Sequence, residues 1–254
     1  MKISIITITY NSENTVEDTI KSVVSQDFPD KEYIIVDGLS KDKTLGIVNN
    51  YSKYIDKVVS EKDKGLYDAL NKGIKLATGD VIGMLHSDDI YASNQIISKV
   101  AQQFAMDTSI EALYADLVFV DRNDTNKVLR TWKAGTYTED AFKKGWMPPH
   151  PTFFVKKSVY ERLGGFNLDL RLSADYELML RFIHKNNIKI SYLPETIIKM
   201  RMGGISNTSF FVKLKANLED KKAWKMNEMK PGFLTTFRKP LNKLKQYLNL
   251  SRKP

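Results

Sequence analysis

The sequence contains no cysteine, which excludes disulfide bonds and thiolate metal sites. It also lacks a cleavable leader pattern after Met1, and no apolar run approaches the length that a bilayer-spanning helix needs. With 254 residues, the chain is long enough for one large α/β domain or two small ones. These features together predict a protein of a reducing compartment, which we expect to be the cytoplasm.

Several common catalytic motifs are absent as well. The turn after the first strand-like run has no Gly-x-Gly-x-x-Gly, which argues against a dinucleotide-dependent oxidoreductase. In residues 38–44, Asp42 stands where a phosphate-binding loop needs its second glycine. No Gly-x-Ser-x-Gly or His-Glu-x-x-His occurs, and His86, His150 and His184 have no metal-ligand spacing, so we expect them to be structural or exposed. A phosphate-bearing ligand would therefore need its charge met by a metal on carboxylates.

Most of the chain has no net charge, and the excess of positive charge is concentrated at its end. Residues 1–209 carry 27 basic and 27 acidic side chains, whereas residues 210–254 carry 12 basic and 3 acidic ones and thus hold the whole net charge of +9. We therefore divide the chain into a catalytic domain, 1–209, and a basic segment, 210–254. The basic segment has no recognisable nucleic-acid-reading module, so we expect no nucleic-acid partner.

The most informative stretch runs from Val81 to Asp89. Five apolar or small residues lead to His86-Ser87 and then to the adjacent carboxylates Asp88 and Asp89. A short apolar run is typical of a strand buried on both faces of a parallel sheet, and ligands bind beyond the carboxyl ends of such strands. Two neighbouring like charges favour binding of a hard divalent cation. The alternative is that one of the aspartates caps a helix beginning near Ser93.

Strand-like and helix-like patterns alternate through the first part of the chain, which predicts βαβ units and an α/β fold with a mostly parallel sheet. The strand-like runs cover residues 2–10, 33–36, 57–60 and 81–85. Each ends in polar residues, namely Tyr10-Asn11, Asp37, the 61–65 loop and Asp88-Asp89. Because the carboxyl ends of parallel strands share one edge of the sheet, we expect these side chains to converge there.

The pattern changes after Ser93. A helix with Ile96 to Phe104 on its apolar face precedes two strand candidates, Ala112–Asp121 and Val128–Trp132. Farther on, Asp175 opens another helix, where a first-turn acid is also favoured by the helix dipole alone. Local sequence leaves both readings of Asp175 open.

The motifs of residues 1 to about 205 resemble those of the family 2 glycosyltransferases with the GT-A fold, of the bacterial surface-polysaccharide type. The resemblance lies in these segments of the chain: Ile8-Thr9-Tyr10-Asn11, Ile35-Val36-Asp37-Gly38 with Ser40, Asp42 and Thr44, Glu61 to Gly73, Leu85 to Asp89, Ala174 to Glu177, and Gly203-Gly204-Ile205-Ser206. It implies a donor-binding half of about residues 1–92 and an acceptor-binding half of about 93–209.

The resemblance also implies roles for individual residues. Thr9, Tyr10 and Asp37 match residues that hold the base and ribose of a nucleotide-sugar donor, and Asp63 completes that pocket. Asp88 matches the last acid of the family's Asp-x-Asp signature, which binds Mg²⁺ or Mn²⁺ on the donor diphosphate. His86 stands where the first acid of that signature usually lies, which leaves open whether Asp89 supplies a second metal-binding carboxylate.

Asp175 matches the catalytic base of the family, which implies single displacement with inversion of the donor's anomeric configuration. The expected substrates are a nucleoside-diphosphate sugar, UDP-linked by preference, and a glycan or lipid-linked acceptor. Two alternatives stay open: a sugar-phosphate nucleotidyltransferase, although Tyr10-Asn11-Ser12 offers neither a glycine-rich loop nor a basic residue, and a non-catalytic nucleotide or carbohydrate binder.

The basic segment contains an amphipathic pattern after Pro231-Gly232. Its apolar positions are Leu234, Phe237, Leu241, Leu244 and Leu248, with basic residues around them. Such a segment predicts attachment to the inner face of the cell membrane through anionic lipid. Alternatively, the apolar stripe packs on the catalytic domain or joins two subunits in a homodimer.

Overall fold

A computed structural model describes residues 1–203 and 210–230, with side chains in the second range from residue 215 onward. Within these ranges the strands are β1 (Ile3–Thr9), β2 (Lys31–Asp37), β3 (Lys57–Ser60), β4 (Val81–Met84), β5 (Asp89–Tyr91), β6 (Ala112–Val120), β7 (Val128–Trp132), β8 (Phe154–Lys156) and β9 (Ile190–Arg201). The helices are α1 (Val16–Val24), α2 (Thr44–Asn50), α3 (Leu66–Leu76), α4 (Ile96–Met106), α5 (Lys157–Leu163), α6 (Ala174–Met179) and α7 (Phe210–Met226). Gly204-Ile205-Ser206 and the amphipathic pattern from Leu234 to Leu248 lie outside the described residues.

The first four βα units form the parallel part of the sheet, in the order β3-β2-β1-β4. Alternate residues of β1 point to opposite faces: Ile3 and Ile5 pack with α1 and α2, whereas Ile6 and Ile8 pack with α3. All seven β1 residues are buried, because the helices cover both faces. The carboxyl ends of β1, β2 and β4 therefore lie along one edge, as predicted from the sequence.

The second part of the sheet is mixed. β8 runs antiparallel to β4 and β6, and β9 lies parallel to β6 and antiparallel to β5. The alternative reading of Asp88 or Asp89 as a helix cap is wrong, because α4 begins only at Ile96 and Asp89 opens β5 instead. The whole is an α/β fold whose sheet is flanked by helices.

The first part of the basic segment packs on the catalytic domain. On α7, Ala223 and Trp224 are buried against α6, whereas Leu218 is 59% exposed. Trp224 also makes an edge contact with His184 at 5.5 Å between ring centroids. Residues 215–230 thus share a core with the residues that precede position 209.

Candidate active site

Asp37 joins the carboxyl ends of three neighbouring strands. Its completely buried carboxylate accepts hydrogen bonds from Thr9 Oγ1 (2.9 Å), from Ser60 Oγ (2.7 Å) and from both the amide and the hydroxyl of Ser40. Burial alone raises the pKa of Asp37, but these hydrogen bonds outweigh it and lower the pKa below its usual value. Asp37 is therefore a fixed anion beneath the predicted donor pocket.

Gly38 lies between the side chains of Tyr10 and Asp63. A Cβ atom at Gly38 would lie 2.9 Å from Asp63 Oδ2 and 3.4 Å from Tyr10 Cδ2, so a side chain there would collide with Asp63. Tyr10 is 62% exposed and offers a free aromatic face. Tyr10 and Asp63, two of the residues that the sequence assigns to donor binding, thus lie on either side of Gly38 at the sheet edge.

Lys72 holds the loop that carries Asp63. From α3, its ammonium group lies 2.6 Å from Asp63, 2.9 Å from Glu61 and 3.8 Å from Asp68, and it donates to the Lys62 carbonyl at 3.0 Å. Desolvation lowers the pKa of Lys72, but hydrogen bonds to Asp63 and Glu61 outweigh it and raise the pKa above its usual value. Lys72 therefore stays charged and ties the 61–65 loop to the sheet edge.

Asp88 and Asp89 lie in different environments although they are adjacent. Asp88 is half-buried, whereas Asp89 is completely buried, and both of its carboxylate oxygens lack a hydrogen-bond partner among the described residues. Burial and the nearby charge of Asp88 raise the pKa of Asp89 well above its usual value. Arg201 fixes this segment from below, because its guanidinium donates to the Asp88 carbonyl at 3.0 Å and pairs with Asp18 on α1. Asp88 is the accessible carboxylate of the two.

Asp175 lies at the start of α6 and meets residues from two other parts of the chain. Its Oδ1 accepts a hydrogen bond from the Tyr67 hydroxyl on α3 at 3.1 Å, and its Oδ2 lies 3.4 Å from His150 Nδ1. The His150 ring is in turn 5.6 Å from that of His86, between centroids. The structure thus brings Asp175 and the segment of Asp88 to the same side of the sheet, with two histidines between them.

Both histidines are neutral near pH 7. Burial and the neighbouring His150 lower the pKa of His86 to about 4, although Asp88 and Asp175 oppose this shift. Burial likewise lowers the pKa of His150 against the opposing effect of the same two carboxylates. The two imidazoles therefore add no positive charge beside the carboxyl groups of Asp88 and Asp175.

The described residues contain no group of three or more His, Cys, Asp or Glu side chains arranged to hold a metal ion by themselves. Asp88 nevertheless offers carboxylate oxygen, the ligand type that Mg²⁺ and Mn²⁺ prefer, on the accessible side of the edge. Such ions are commonly bound by one or two carboxylates together with substrate phosphates. The residues fit a metal that is held jointly by Asp88 and a diphosphate.

The sequence did not indicate the supporting residues of this site. Tyr67 lies within the resemblance segment Glu61 to Gly73 but had no role assigned to it, and Arg201 has no local pattern that marks it. The prediction that His86 and His150 are merely structural or exposed overlooked their shared position beside Asp175. The one available signal was the stiff Pro148-Pro149-His150-Pro151 loop, whose backbone is restricted enough to present a side chain.

The chain is similar to known proteins both in sequence and in fold. Residues 4–164 match the family described as Glycosyl transferase family 2. A curated relative, the PGL/p-HBAD biosynthesis glycosyltransferase of Mycobacterium bovis, is 27% identical over 209 residues, which cover 81% of this chain and 79% of the relative.

Two solved structures share the fold. The first is S. aureus TarS 1-349 in complex with UDP, with a TM-score of 0.65 and 21% identity over 86% of this chain; the chain spans only 65% of that structure's length. The second is the mannosyltransferase PcManGT of Pyrobaculum calidifontis in complex with GDP-Man and Mn²⁺, with a TM-score of 0.66 and 21% identity over 98% of this chain and 70% of that one.

No helix in the described ranges combines the length and the apolar character that crossing a bilayer requires.

The fold is that of the GT-A structures, and the family match covers more than half of the sequence. This chain therefore belongs to glycosyl transferase family 2, and it is a glycosyltransferase.

Proposed function

We propose that the protein transfers a hexosyl or N-acetylhexosaminyl group, with inversion, from a nucleoside-diphosphate sugar to a hydroxyl of a glycan acceptor in bacterial polysaccharide biosynthesis. The observation that carries the proposal is the placement of Asp88 and Asp175 around the His86–His150 pair. Both carboxylates are near enough to raise the pKa of each imidazole against the effect of burial. A donor diphosphate at Asp88 and an acceptor hydroxyl at Asp175 would then meet in one site.

The donor end is formed by Tyr10, Asp37, Asp63 and Thr9. Tyr10 offers an aromatic face for the base, and Asp63 borders the same space across Gly38. Asp37, with Thr9 and Ser60 as donors to it, keeps the three strand ends in register beneath the base and ribose. UDP is the donor nucleotide that we favour, in keeping with the UDP bound to TarS.

A divalent cation, Mg²⁺ or Mn²⁺, would be held by Asp88 and the donor diphosphate. When bound, it would supply neutralisation of the charge that grows on the leaving diphosphate. Asp89 was also predicted as a metal ligand. Its carboxyl is completely buried and favours the protonated form, so binding there would require it both to ionise and to become accessible. We therefore assign the principal contact to Asp88.

Asp175 is the proposed catalytic base. Its carboxylate takes the proton from the acceptor hydroxyl while the hydroxyl oxygen forms its bond to the anomeric carbon and the bond to the nucleoside diphosphate breaks. Attack on the face opposite the leaving group inverts the anomeric configuration. Tyr67 contacts one carboxylate oxygen and His150 the other, and these contacts orient the carboxylate.

The acceptor is proposed to be lipid-linked. The basic residues of 231–254 would hold the enzyme on the anionic inner face of the cell membrane, where the local concentration of such an acceptor is high. A homodimer formed through the same residues is the competing arrangement.

Calorimetric titration of UDP, GDP and CMP, each with Mn²⁺ and with EDTA, tests the donor assignment. We expect Mn²⁺-dependent binding of UDP, loss of that binding in Asp88→Asn, and release of UDP from UDP-GlcNAc. Asp30→Asn is the matched control, because Asp30 precedes β2 at the opposite end of the strands. Full activity in Asp88→Asn or in EDTA would refute the metal assignment, and failure to bind any of the three nucleotides would refute the donor assignment.

A further inference from the structure

The helix that carries Asp175 is short and has no side-chain cap, so few interactions within it fix its position. α6 spans only six residues before the chain continues as a π-helical turn, Leu180–Lys185, and its N-cap residue Ser173 makes no side-chain capping hydrogen bond. Short helices depend on tertiary contacts, and the first amides of a helix have no partners within it. The position of Asp175 in the first turn must therefore be set by neighbouring elements.

α7 supplies these contacts on both sides of Asp175. Before it, Glu219 Oε2 accepts hydrogen bonds from the backbone amides of Leu172 (2.7 Å) and Ser173 (3.1 Å), and the Ser173 hydroxyl donates to the Ala216 carbonyl at 3.2 Å. The Glu219 carboxylate thus serves as an external cap ahead of α6, where negative charge is favourable.

After Asp175, two buried side chains, one on α7 and one directly after its last residue, hold the next two residues of α6. Trp224 Nε1 donates to the Tyr176 hydroxyl at 2.9 Å, and Asn227 Nδ2 donates to Glu177 Oε1 at 2.9 Å. Trp224 is 1% exposed and Asn227 3% exposed, so these hydrogen bonds are shielded from water. Shielded hydrogen bonds are costly to break and fix geometry.

We propose that α7 is the positioning element of the catalytic base, with Glu219 and Trp224 as positioning residues that act on Asp175 through the backbone of residues 172–177. This inference rests on the role proposed for Asp175. It gives Glu219 and Trp224 a role in turnover that is separate from any role of residues 231–254. Displacement of the base by about 1 Å can lower turnover by about 100-fold without changing the chemistry of the carboxylate.

Glu219→Ala and Glu219→Gln in the full chain test the proposal. The glutamine keeps an oxygen that accepts from the two amides, whereas the alanine does not. We expect Glu219→Ala to lower kcat for UDP release from UDP-GlcNAc by about 10-fold or more with unchanged UDP affinity, and Glu219→Gln to restore most of it. Amide hydrogen exchange of Leu172 and Ser173 should accelerate in Glu219→Ala alone. Trp224→Phe, which keeps an aromatic ring beside His184, should lower kcat in the same selective way.

Lys221→Ala, on the exposed face of α7, is the matched control and should change neither quantity. Unchanged kcat in Glu219→Ala, unchanged exchange at Leu172 and Ser173, or an equal loss of kcat and UDP affinity would overturn the proposal. A wild-type protein that releases nucleotide from neither UDP-GlcNAc nor GDP-Man would instead contradict the proposed function, and the exchange rates would still decide whether Glu219 orders the start of α6.

Discussion

Tyr67 and Asp175 lie 108 positions apart in the sequence, and their side chains meet at 3.1 Å. The Tyr67 ring stacks on Phe166 at 5.4 Å between centroids, and Asn71, one turn further along α3, bonds both the amide and the carbonyl of Phe166. A residue of α3 therefore orients the Asp175 carboxylate at the start of α6. Burial and the charge of Asp175 raise the pKa of Tyr67, so the hydroxyl remains a donor at neutral pH.

Tyr67→Phe should lower kcat by about tenfold and leave UDP affinity unchanged. The substitution keeps the ring on Phe166 and removes only the hydrogen bond to Asp175; a hydrogen bond to a charged group contributes about 1.5–3 kcal/mol. Steady-state kinetics and UDP calorimetry separate the two effects. Tyr160→Phe is the control, because that buried ring packs on Phe182 away from the site. Equal losses in both variants would indicate a general packing defect.

Asp175→Asn should retain donor binding and lose turnover by about 100-fold or more, the range of a positioned proton transfer. The change is nearly isosteric, so the hydrogen bond from Tyr67 is kept and the melting temperature should stay within a few degrees. Donor affinity and single-turnover rates measure the outcome. Glu177, the neighbouring acid, is 2% exposed and paired with Arg181 at 2.9 Å, so Glu177→Gln should act on stability. Parallel loss of binding and turnover in Asp175→Asn would make Asp175 structural.

Lys72→Met should weaken UDP binding by about tenfold, because the 61–65 loop loses the cation that holds Asp63 and Glu61. Lys72→Arg should retain part of the affinity. Calorimetry measures the change in UDP affinity, and amide hydrogen exchange measures the loss of order in the 61–65 loop. Lys75→Met, on the exposed side of the same helix, controls for helix propensity and charge. Unaltered UDP affinity in Lys72→Met would remove Asp63 from the donor pocket.

The buried carboxylate of Glu32 should contribute to the free energy of unfolding in a way that is lost at acid pH. Burial alone raises the pKa of Glu32, but hydrogen bonds from Ser4, Thr78 and Lys57 outweigh it and lower the pKa from 4.5 to about 2. Because the pKa is depressed in the folded state, the stabilisation is complete above pH 4.5 and is lost as the pH falls towards 2. The shift corresponds to about 3 kcal/mol for this almost fully buried side chain.

Urea unfolding between pH 6 and pH 2.5 should therefore show a shallower decline in Glu32→Gln than in the wild type. The glutamine variant is less stable at pH 6, and the two curves should converge at the acid end. Identical slopes would show that acid unfolding is governed by other carboxylates, with Asp37 the next candidate because its pKa is also lowered.

A chain ending at Lys230 should still bind UDP and release it from UDP-GlcNAc, because α7 and its contacts with α6 are retained. It should no longer sediment with anionic phosphatidylglycerol vesicles at low salt, whereas the full chain should. Neutral phosphatidylcholine vesicles are the control for electrostatic binding. Equal sedimentation of the two proteins would assign residues 231–254 to another role, and a change in oligomeric state on truncation would favour the homodimer.

The four strands of the first 85 residues were predictable because each is a short run rich in apolar or β-branched residues that ends in polar ones. β9 was not predicted: its pattern is interrupted at Pro194, and its pairing with β6 shifts register around Asp116. β5 has only three residues, too few to show any alternation. Both strands gain their stability from partners that are distant in sequence.

One side of the candidate site was predictable as a set of strand ends, whereas Asp175, on a helix, was assigned to it only through the family resemblance. Sequence treats Asp88 and Asp89 as a pair of carboxylates, but Asp89 enters a strand, where successive side chains point to opposite faces. One carboxylate thereby stays accessible and the other is buried. The meeting of His150 with Asp175 could not be read from the chain, because it depends on how β8 is aligned beside β4 and β6.

The ladder between β4 and β8, in which Val81 pairs with Lys156 and Ile82 with Val155, joins the parallel and the mixed parts into one continuous sheet. A hinge between these two parts would have to break main-chain hydrogen bonds of that ladder. The sheet of the enzyme is thus a rigid platform. We expect selection among donors and acceptors to rest on the loops at the sheet edge, where new sugar specificities can evolve without any change in the ladder.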